Sequence, residues 1–469
     1  MRVTPPGGIA ILSACLKRAG YNNMKLFDAT WYPVDQQLRD EGKVGGNRDR
    51  DRQKRGMFPD YEWKRDDIKL ELEDVDMYTA FRDMVLDFEP DVIISSIVED
   101  TFYLWKKFME KVSDRKFISV CGGVFCTYFP QAFEGKCDYI CRGEGDELLP
   151  ELMDLISEGK TGHHLANVHP NPMRPAINVN TLPITDHEIF DERSLYRPFQ
   201  GKIIKIATVE TQRGCPFKCK FCNSPSNANL YKEETDSLFF RHRTVEHQEA
   251  EIIDLIDKHD IEVLWIVTDT FLTMSKKKFD EWAKMYSKYQ LPFFTQTRPE
   301  LLTEHQARTL KELGCLKLNM GVEHGDPKFR RDVIGRVYEN DRAIEAFRIA
   351  NDAGLSTTCN FIIGYPYETM ENCQQSIELA ARLNCNDTNA FIYTPYHGTP
   401  MRDMCVEAGF VPDDLIVEMR SDDQGTYLDM PRPYMNKEEI QYMYNNFVHL
   451  FRARERELKG ETISATIAA

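Results

Sequence analysis

Apolar residues recur along this chain with two periods, and the chain switches repeatedly between short apolar runs and stripes of helical spacing. The runs read as buried strands and the stripes as amphipathic helices. In the first third, Ile9–Ala19 predicts a helix and Met24–Phe27 a short strand. The stretch Asp35–Asp76 breaks the pattern. It is dense in charge, holds Gly42, Gly45, Gly46 and the run Arg48–Arg55, and reads as a solvated insertion. Order returns with a helix over Met77–Phe88, a strand over Asp91–Ser96 and a helix over Phe102–Val112. A strand over Phe117–Val120 ends in Gly122-Gly123, another over Asp138–Cys141 ends in Gly143-Glu144-Gly145, and Glu147–Glu158 predicts a helix. Alternating strands and helices predict a parallel sheet. Glycines at the carboxyl ends of such strands lie where open α/β sheets bind ligands.

Residues 161–200 carry Pro170, Pro172, Pro175, Pro183 and Pro198 with little periodicity, and read as a connector. A second α/β pattern follows, with strands predicted at Ile203–Val209, Val263–Thr268, Pro292–Thr295, Leu316–Gly321, Thr357–Ile363 and Asn389–Thr394. Helices are predicted at Lys277–Tyr289, Asp341–Asn351 and Asn372–Leu383. Six strand–helix units predict a partial (β/α)6 barrel of the TIM type, short of the closed eight-fold form. Ile440, Met443, Tyr444, Phe447, Leu450 and Phe451 make one stripe of a C-terminal helix, read as packing. The expected fold class is α/β, divided as 1–160, 161–200, 201–412 and a helical 413–469.

Composition narrows the functional classes. With 42% hydrophobic residues among 469, the chain has ample material for packed cores and global disorder is excluded. No apolar run approaches the roughly 18 residues of a spanning helix, and MRVTPPGGIA lacks the apolar stretch of a secretory signal. The net charge of −16 argues against broad nucleic-acid binding. Thirteen cysteines, an odd number in a long chain, argue against a disulfide scaffold and for a reducing cytoplasm with thiols free to act as metal ligands.

The segment Thr211-Gln-Arg-Gly-Cys215-Pro-Phe-Lys-Cys219-Lys-Phe-Cys222 places three thiols in C-x-x-x-C-x-x-C spacing just after the first barrel strand. Thiolates at that density suit soft metals or iron–sulfur clusters. Zinc, with a remote fourth ligand, and three unrelated buried thiols remain alternatives. Three thiolates on a four-iron cubane leave one iron open to a small molecule. Phe221 is placed to shield a cluster and contact an adenine.

The triplet resembles the radical S-adenosylmethionine (radical SAM) superfamily. So do Thr268-Asp269-Thr270-Phe271, Gln296-Thr297-Arg298-Pro299-Glu300, Gly321-Val322-Glu323-His324-Gly325, Asn360-Phe361-Ile362-Ile363-Gly364-Tyr365-Pro366-Tyr367-Glu368-Thr369 and Tyr393-Thr394-Pro395-Tyr396-His397-Gly398-Thr399-Pro400, in order after successive strands. Asn360 and Tyr367 stand where the family has glycines. The resemblance implies that Cys215, Cys219 and Cys222 hold a [4Fe–4S] cluster and form the catalytic centre. It also implies that SAM is chelated at the open iron and cleaved to a 5′-deoxyadenosyl radical, in anaerobic chemistry driven by a one-electron reductant such as flavodoxin or ferredoxin. Candidate SAM contacts are Phe221, Asp269, Arg298, Glu323, Ile362 and Gly364, with structural salt bridges as the alternative for the charged ones. Tyr393, Tyr396 and His397 are candidates for substrate contact at the barrel mouth.

The first domain resembles the Rossmann-like, flavodoxin-type cobalamin-binding domains fused to radical SAM domains. The resemblance rests on Pro5-Pro6-Gly7-Gly8, Glu89-Pro90-Asp91, Cys121-Gly122-Gly123 and Arg142-Gly143-Glu144-Gly145-Asp146. It implies cobalamin contacts at Pro6, Gly7, Gly122, Gly123, Gly143 and Glu144. All eleven histidines lie at or after His163, so this domain offers no lower axial imidazole and no D-x-H-x-x-G signature. Relatives carry a strand before the Pro-Pro segment, where this sequence has only Met1–Thr4, and a truncated gene start is the expectation. The family reading is a radical SAM methyltransferase that uses cobalamin and methylates an unactivated carbon of a small molecule. The alternatives are an oxidative cyclase or rearrangement enzyme, a methylthiotransferase with a second cluster on Cys121, Cys126, Cys137 and Cys141, and a non-catalytic metal or cobalamin sensor.

Overall fold

The computed structural model describes residues 5–33, 65–199, 201–418 and 425–460. The expected insertion falls outside the described residues except for 65–76, as do Met1–Thr4. Leu70, from the insertion's end, is buried in the barrel core.

The first domain runs α1 (Gly7–Arg18), α2 (Met77–Phe88), β1 (Val92–Ser96), α3 (Phe102–Lys111), β2 (Ile118–Gly122), α4 (Val124–Tyr128), β3 (Tyr139–Ile140) and α5 (Leu148–Ser157). The strands form a parallel sheet in the order β1-β2-β3. Side-chain alternation divides its residues between two cores. Val120, Tyr139 and Cys141 pack with Leu16, Leu148 and Leu152 on one side. Cys121 and Ile140 pack with Phe102, Trp105, Phe125 and Phe133 on the other. Met24–Phe27 is not a strand. A strand exists through its ladder, and among the described residues no ladder includes this segment. Met24, Leu26 and Phe27 instead line a cavity of about 1700 Å³ beside β1.

The barrel strands are β4 (Tyr196–Phe199), β5 (Lys202–Glu210), β8 (Val263–Val267), β9 (Phe293–Thr297), β10 (Cys315–Glu323), β11 (Thr357–Ile363) and β12 (Asp387–Ile392). A short antiparallel ribbon, β6 (Gln212–Arg213) with β7 (Arg241–His242), rides above them. The sheet order is β12-β11-β10-β9-β8-β5-β4. Six strands are parallel, and β4 pairs antiparallel with β5. The end of the expected connector is thus an edge strand of the barrel sheet. The helices are α6 (Ser224–Thr235), α7 (Val245–His259), α8 (Lys276–Tyr286), α9 (Glu304–Glu312), α10 (Asn340–Asp352), α11 (Met370–Arg382), α12 (Pro400–Glu407) and α13 (Lys437–Leu458).

The outward residues of β10 (Leu318, Met320, Val322) and β11 (Cys359, Phe361, Ile363) are buried under these helices in one large core. α13 starts at a capping box, Asn436 with Glu439. It brings Ile440, Met443, Tyr444, Phe447 and Phe451 into that core, with Leu450 at its margin. No helix among the described residues is long and apolar enough to cross a membrane.

Candidate functional site

The cysteine loop leaves the ribbon strand β6 through Gly214, whose φ is +82°. A Cβ there would stand 2.9 Å from the Phe239 carbonyl oxygen, so only glycine fits without displacement. The loop is then pinned from two sides. The Lys220 amide donates to the Ile334 carbonyl at 2.9 Å, and the Met401 amide donates to the Lys220 carbonyl at 3.0 Å.

The three sulfurs have different surroundings. Cys219 is 6% exposed, and its Sγ accepts from Arg336 Nε at 3.3 Å and Arg298 Nη1 at 3.5 Å. Cys222 Sγ accepts from the Ser224 amide at 3.4 Å, and Cys215 Sγ lies 3.7 Å from Thr270 Oγ1. Burial pushes the Cys215 thiol up and the Cys222 thiol up to about 12. Both favour the protonated form until a metal displaces the proton. Phe217 lies under the Arg298 guanidinium at 3.7 Å, and Phe221 lies 6.0 Å from Tyr365.

Among the described residues, no group of three His, Cys, Asp or Glu side chains converges as the ligands of one metal ion. A cubane asks for something else, because its thiolates bind separate irons at separate corners. Three thiols in one short loop, with two buried cations against one of them and aromatic rings beside it, supply that kind of donor set.

The predicted SAM contacts come from the carboxyl ends of successive strands. Asp269, after β8, accepts from Ser224 Oγ at 2.8 Å, and burial raises its carboxyl. Arg298, after β9, is paired with Glu300 through Nε at 2.6 Å as well as donating to Cys219. Glu323, the last residue of β10, has φ +71° and is 8% exposed. Burial raises its carboxyl against the pull of Arg336, whose Nη2 is 3.3 Å away. Ile362 lies partly buried at the end of β11. Gly364 has φ +78°, and its amide donates to Glu368 Oε2 at 2.6 Å.

Glu368 anchors this turn. It is fully buried, and it also accepts from the Tyr365 amide at 3.0 Å and pairs with His324 Nε2 at 3.2 Å. Tyr367 adopts φ +66°, the glycine-like conformation, with its ring against Phe410 and Tyr434. Asn360 keeps ordinary strand pairing and accepts from Asn389 Nδ2 at 3.1 Å. Sequence reasoning missed Arg336 and Ser224, and it quoted Thr270, His324 and Glu368 within the strand-end motifs without giving them a role. Arg336 lies in a segment without periodicity, and no local signal marks it.

Every first-domain candidate lines the 1700 Å³ cavity. Pro6 is the N-cap of α1, and Gly7 has nothing within 4 Å of an added Cβ. A Cβ on Gly122 would make only ordinary contact, 3.6 Å from Cys141. Gly123 has φ +100°, and a Cβ there would meet the Ile97 carbonyl oxygen at 2.6 Å. On Gly143, at φ +70°, it would meet the Tyr231 hydroxyl at 2.6 Å. Glu144 is tied to the barrel domain by Arg213 at 2.9 Å and by Arg241 at 2.7 Å. Burial alone would raise its carboxyl, but the two guanidiniums hold it below the usual range. The cavity continues past these residues to Thr208, Glu210, Trp265 and Val267 of β5 and β8, so the two domains share it.

Cys121 and Cys126 are buried in one core with Cys137 at its margin, whereas Cys141 packs in the core across the sheet. Tyr393 is buried and Tyr396 is 38% exposed. His397 is held by Glu99 of the first domain, through Nδ1 and its own amide, both at 2.8 Å.

The strand-end elements and the cysteine loop together define a class. Residues 209–380 match the family model for the radical SAM superfamily, and the chain carries a radical SAM domain. It is 27% identical over 333 residues to a methyltransferase of Pyrococcus horikoshii that is itself uncharacterized, covering 66% of this chain and 68% of that one. It is 25% identical to the anaerobic magnesium-protoporphyrin IX monomethyl ester cyclase of Rubrivivax gelatinosus, over 77% of this chain and 69% of the relative. In fold it is similar to the radical SAM methyltransferase TsrM of Kitasatospora setae, with TM-score 0.60, 16% identity and coverage of 87% and 74%. It is also similar to the cobalamin-dependent radical enzyme OxsB, with TM-score 0.54, 16% identity and coverage of 84% and 56%.

Proposed function

We propose that this protein is a radical SAM enzyme that holds a [4Fe–4S] cluster on Cys215, Cys219 and Cys222, binds SAM beside it, and uses cobalamin to methylate an unactivated carbon of a small molecule. The observation that carries the reading is the cysteine loop, with one buried sulfur facing two guanidiniums at the mouth of a half-barrel. When bound, the cluster supplies the electron that cleaves the carbon–sulfur bond of SAM to a 5′-deoxyadenosyl radical.

This chain's own groups do the rest. Arg298 and Arg336 offset thiolate charge at Cys219. Glu323, Asp269 and the Gly364 turn present polar groups around the mouth. The shared cavity of about 1700 Å³ exceeds the roughly 300–1,000 Å³ of ordinary small-molecule pockets. That volume suits a large cofactor whose methyl group is delivered toward the barrel, with Pro6, Gly7, Gly122, Gly123 and Gly143 along the wall. Glu144 would act there through its arginine pairs.

Anaerobic reconstitution with iron and sulfide, followed by incubation with SAM and a reductant, tests the reading. The expected results are about four irons per chain, 5′-deoxyadenosine as product, and loss of both in Cys215→Ala, Cys219→Ala and Cys222→Ala. An electron paramagnetic resonance signal of the reduced cluster that ignores SAM would sink it. Likeness to the cyclase favours one second reading, oxidative ring closure. Product mass separates the two, since methylation adds one carbon and ring closure leaves the carbon count unchanged.

A further inference from the structure

Two thiols lie face to face near the open edge of the half-barrel, and the proposed chemistry uses neither. Cys359, in β11, and Cys385, in the turn that leads into β12, stand 26 positions apart in sequence with their sulfurs 3.0 Å apart. Thr388 Oγ1 is shared between them, 3.1 Å from Cys359 Sγ and 3.2 Å from Cys385 Sγ. The turn is fastened on both sides. The Thr357 amide of β11 donates to Asn386 Oδ1 at 2.8 Å. Arg452 Nη2 of α13 donates to the Asn386 carbonyl at 3.0 Å and to the Cys385 carbonyl at 3.5 Å. The fold itself therefore holds the two sulfurs together. Their surroundings differ. Cys359 is fully buried, and burial pushes its thiol up. Cys385 is 4% exposed, between exposed Asn384 and exposed Asn386. A hydrogen bond from Cys359, joined by Thr388 and the charge of Arg452, holds the Cys385 thiol below its usual range against burial. The thiolate is the reactive form, so Cys385 is suited to attack and Cys359 to follow.

We propose that Cys359 and Cys385 are a site of reversible oxidation, a dithiol that a peroxide converts to a disulfide. The Cys385 thiolate attacks one peroxide oxygen. A sulfur–oxygen bond forms, the oxygen–oxygen bond breaks, and the departing oxygen leaves as water after taking a proton. The Cys359 sulfur then attacks the sulfur of Cys385. A sulfur–sulfur bond forms, the sulfur–oxygen bond breaks, and a second water leaves. One hydrogen peroxide is thus reduced to two waters, and the two thiols give up two electrons and two protons. A disulfide is about 2.05 Å long, so the sulfurs close by only about 1 Å from where they stand. The bond closes a loop around α11 and ties edge strand β12 to β11, the strand that leads into the Gly364 turn. Such a link restricts the unfolded chain and stabilises the folded one. A cellular thiol reductant would return the pair to its open form, as with transient disulfides inside cells.

The test uses the full-length chain, reduced, freed of reductant under nitrogen and then treated with hydrogen peroxide. Remaining thiols are blocked with N-ethylmaleimide, and the protein is digested without reductant for mass spectrometry. The expected product is a linked peptide joining Cys359 to Cys385, lighter by two hydrogens than the sum of its parts and lost after dithiothreitol. In Cys359→Ser, dimedone should label Cys385 as a sulfenic acid, and in Cys385→Ser it should leave Cys359 unlabelled. The urea midpoint of the oxidised wild type should lie above that of the same sample reduced again, and the difference should vanish in either variant. Recovery of both residues as N-ethylmaleimide adducts while other cysteines are oxidised would overturn the proposal, as would a bond from either one to a different cysteine. The wild-type digest requires no variant to fold, and its outcome is independent of the cluster and of SAM cleavage.

Discussion

Cys219 differs from its two companions in facing charge. Arg336 and Arg298 both donate to its sulfur, whereas Cys215 and Cys222 meet a hydroxyl and a backbone amide. Fixed positive charge beside a cluster favours the reduced state. Arg336→Met is therefore expected to move the reduction potential to more negative values in a redox titration followed by electron paramagnetic resonance, and Arg336→Lys to restore part of the shift. Glu144 is the corresponding residue between the domains. Removing one member of a buried charge group costs about 3–5 kcal/mol, so Glu144→Gln should lower stability by that order at neutral pH. The sign with pH follows from its lowered value. Its contribution is complete above the unfolded-state value near 4.5 and is lost as pH falls through the folded value. Denaturation curves of wild type and variant should therefore converge in acid. A gap that widened in acid would refute the assignment.

At the scale of elements, two glycines of the first domain make opposite predictions. Gly123→Ala forces a Cβ at φ +100° to within 2.6 Å of the Ile97 carbonyl oxygen, and strain of this kind costs about 1–3 kcal/mol before any clash is relieved. Gly7→Ala meets nothing within 4 Å and lies in α1, so it should gain about 0.5–1 kcal/mol from helix propensity. Chemical denaturation measures both. The barrel elements were legible in sequence because each combines an apolar run with helical spacing next to it. Thr357–Ile363 forms with those bounds, and the other barrel strands shift by a few residues at their ends. The strand expected at Met24–Phe27 fails because pattern alone supplies no pairing partner. The connector hides β4 because Pro198 and a short apolar run resemble a linker. Within the site, the three cysteines and the strand-end motifs were legible. Arg336, Ser224 and the Glu99–His397 contact were not, since they depend on which distant segments fold together.

At the scale of the whole molecule, the barrel is completed by a helix outside its repeat. α13 covers β12 and α11 with Ile440, Met443, Tyr444, Phe447 and Phe451. Phe447→Ala should cost about 3–5 kcal/mol, and a chain ending at Met435 should aggregate or resist refolding, as light scattering and circular dichroism would show. α13 also reaches the site. A Cβ on Gly364 would stand 2.9 Å from Ile440 Cγ2, and the Met435 amide donates to the Glu368 carbonyl at 2.9 Å. The turn that presents polar groups at the barrel mouth is thus clamped from behind by residues that follow the barrel in the chain. Domains assemble as synthesis proceeds from the N-terminus, so the cysteine loop leaves the ribosome well before the turn opposite it is locked. A nascent chain therefore passes through an interval in which the cysteine loop is complete and the turn opposite it is not. On the proposed reading, truncated translation products stay in that interval, with the three cysteines formed and the mouth around them unlocked.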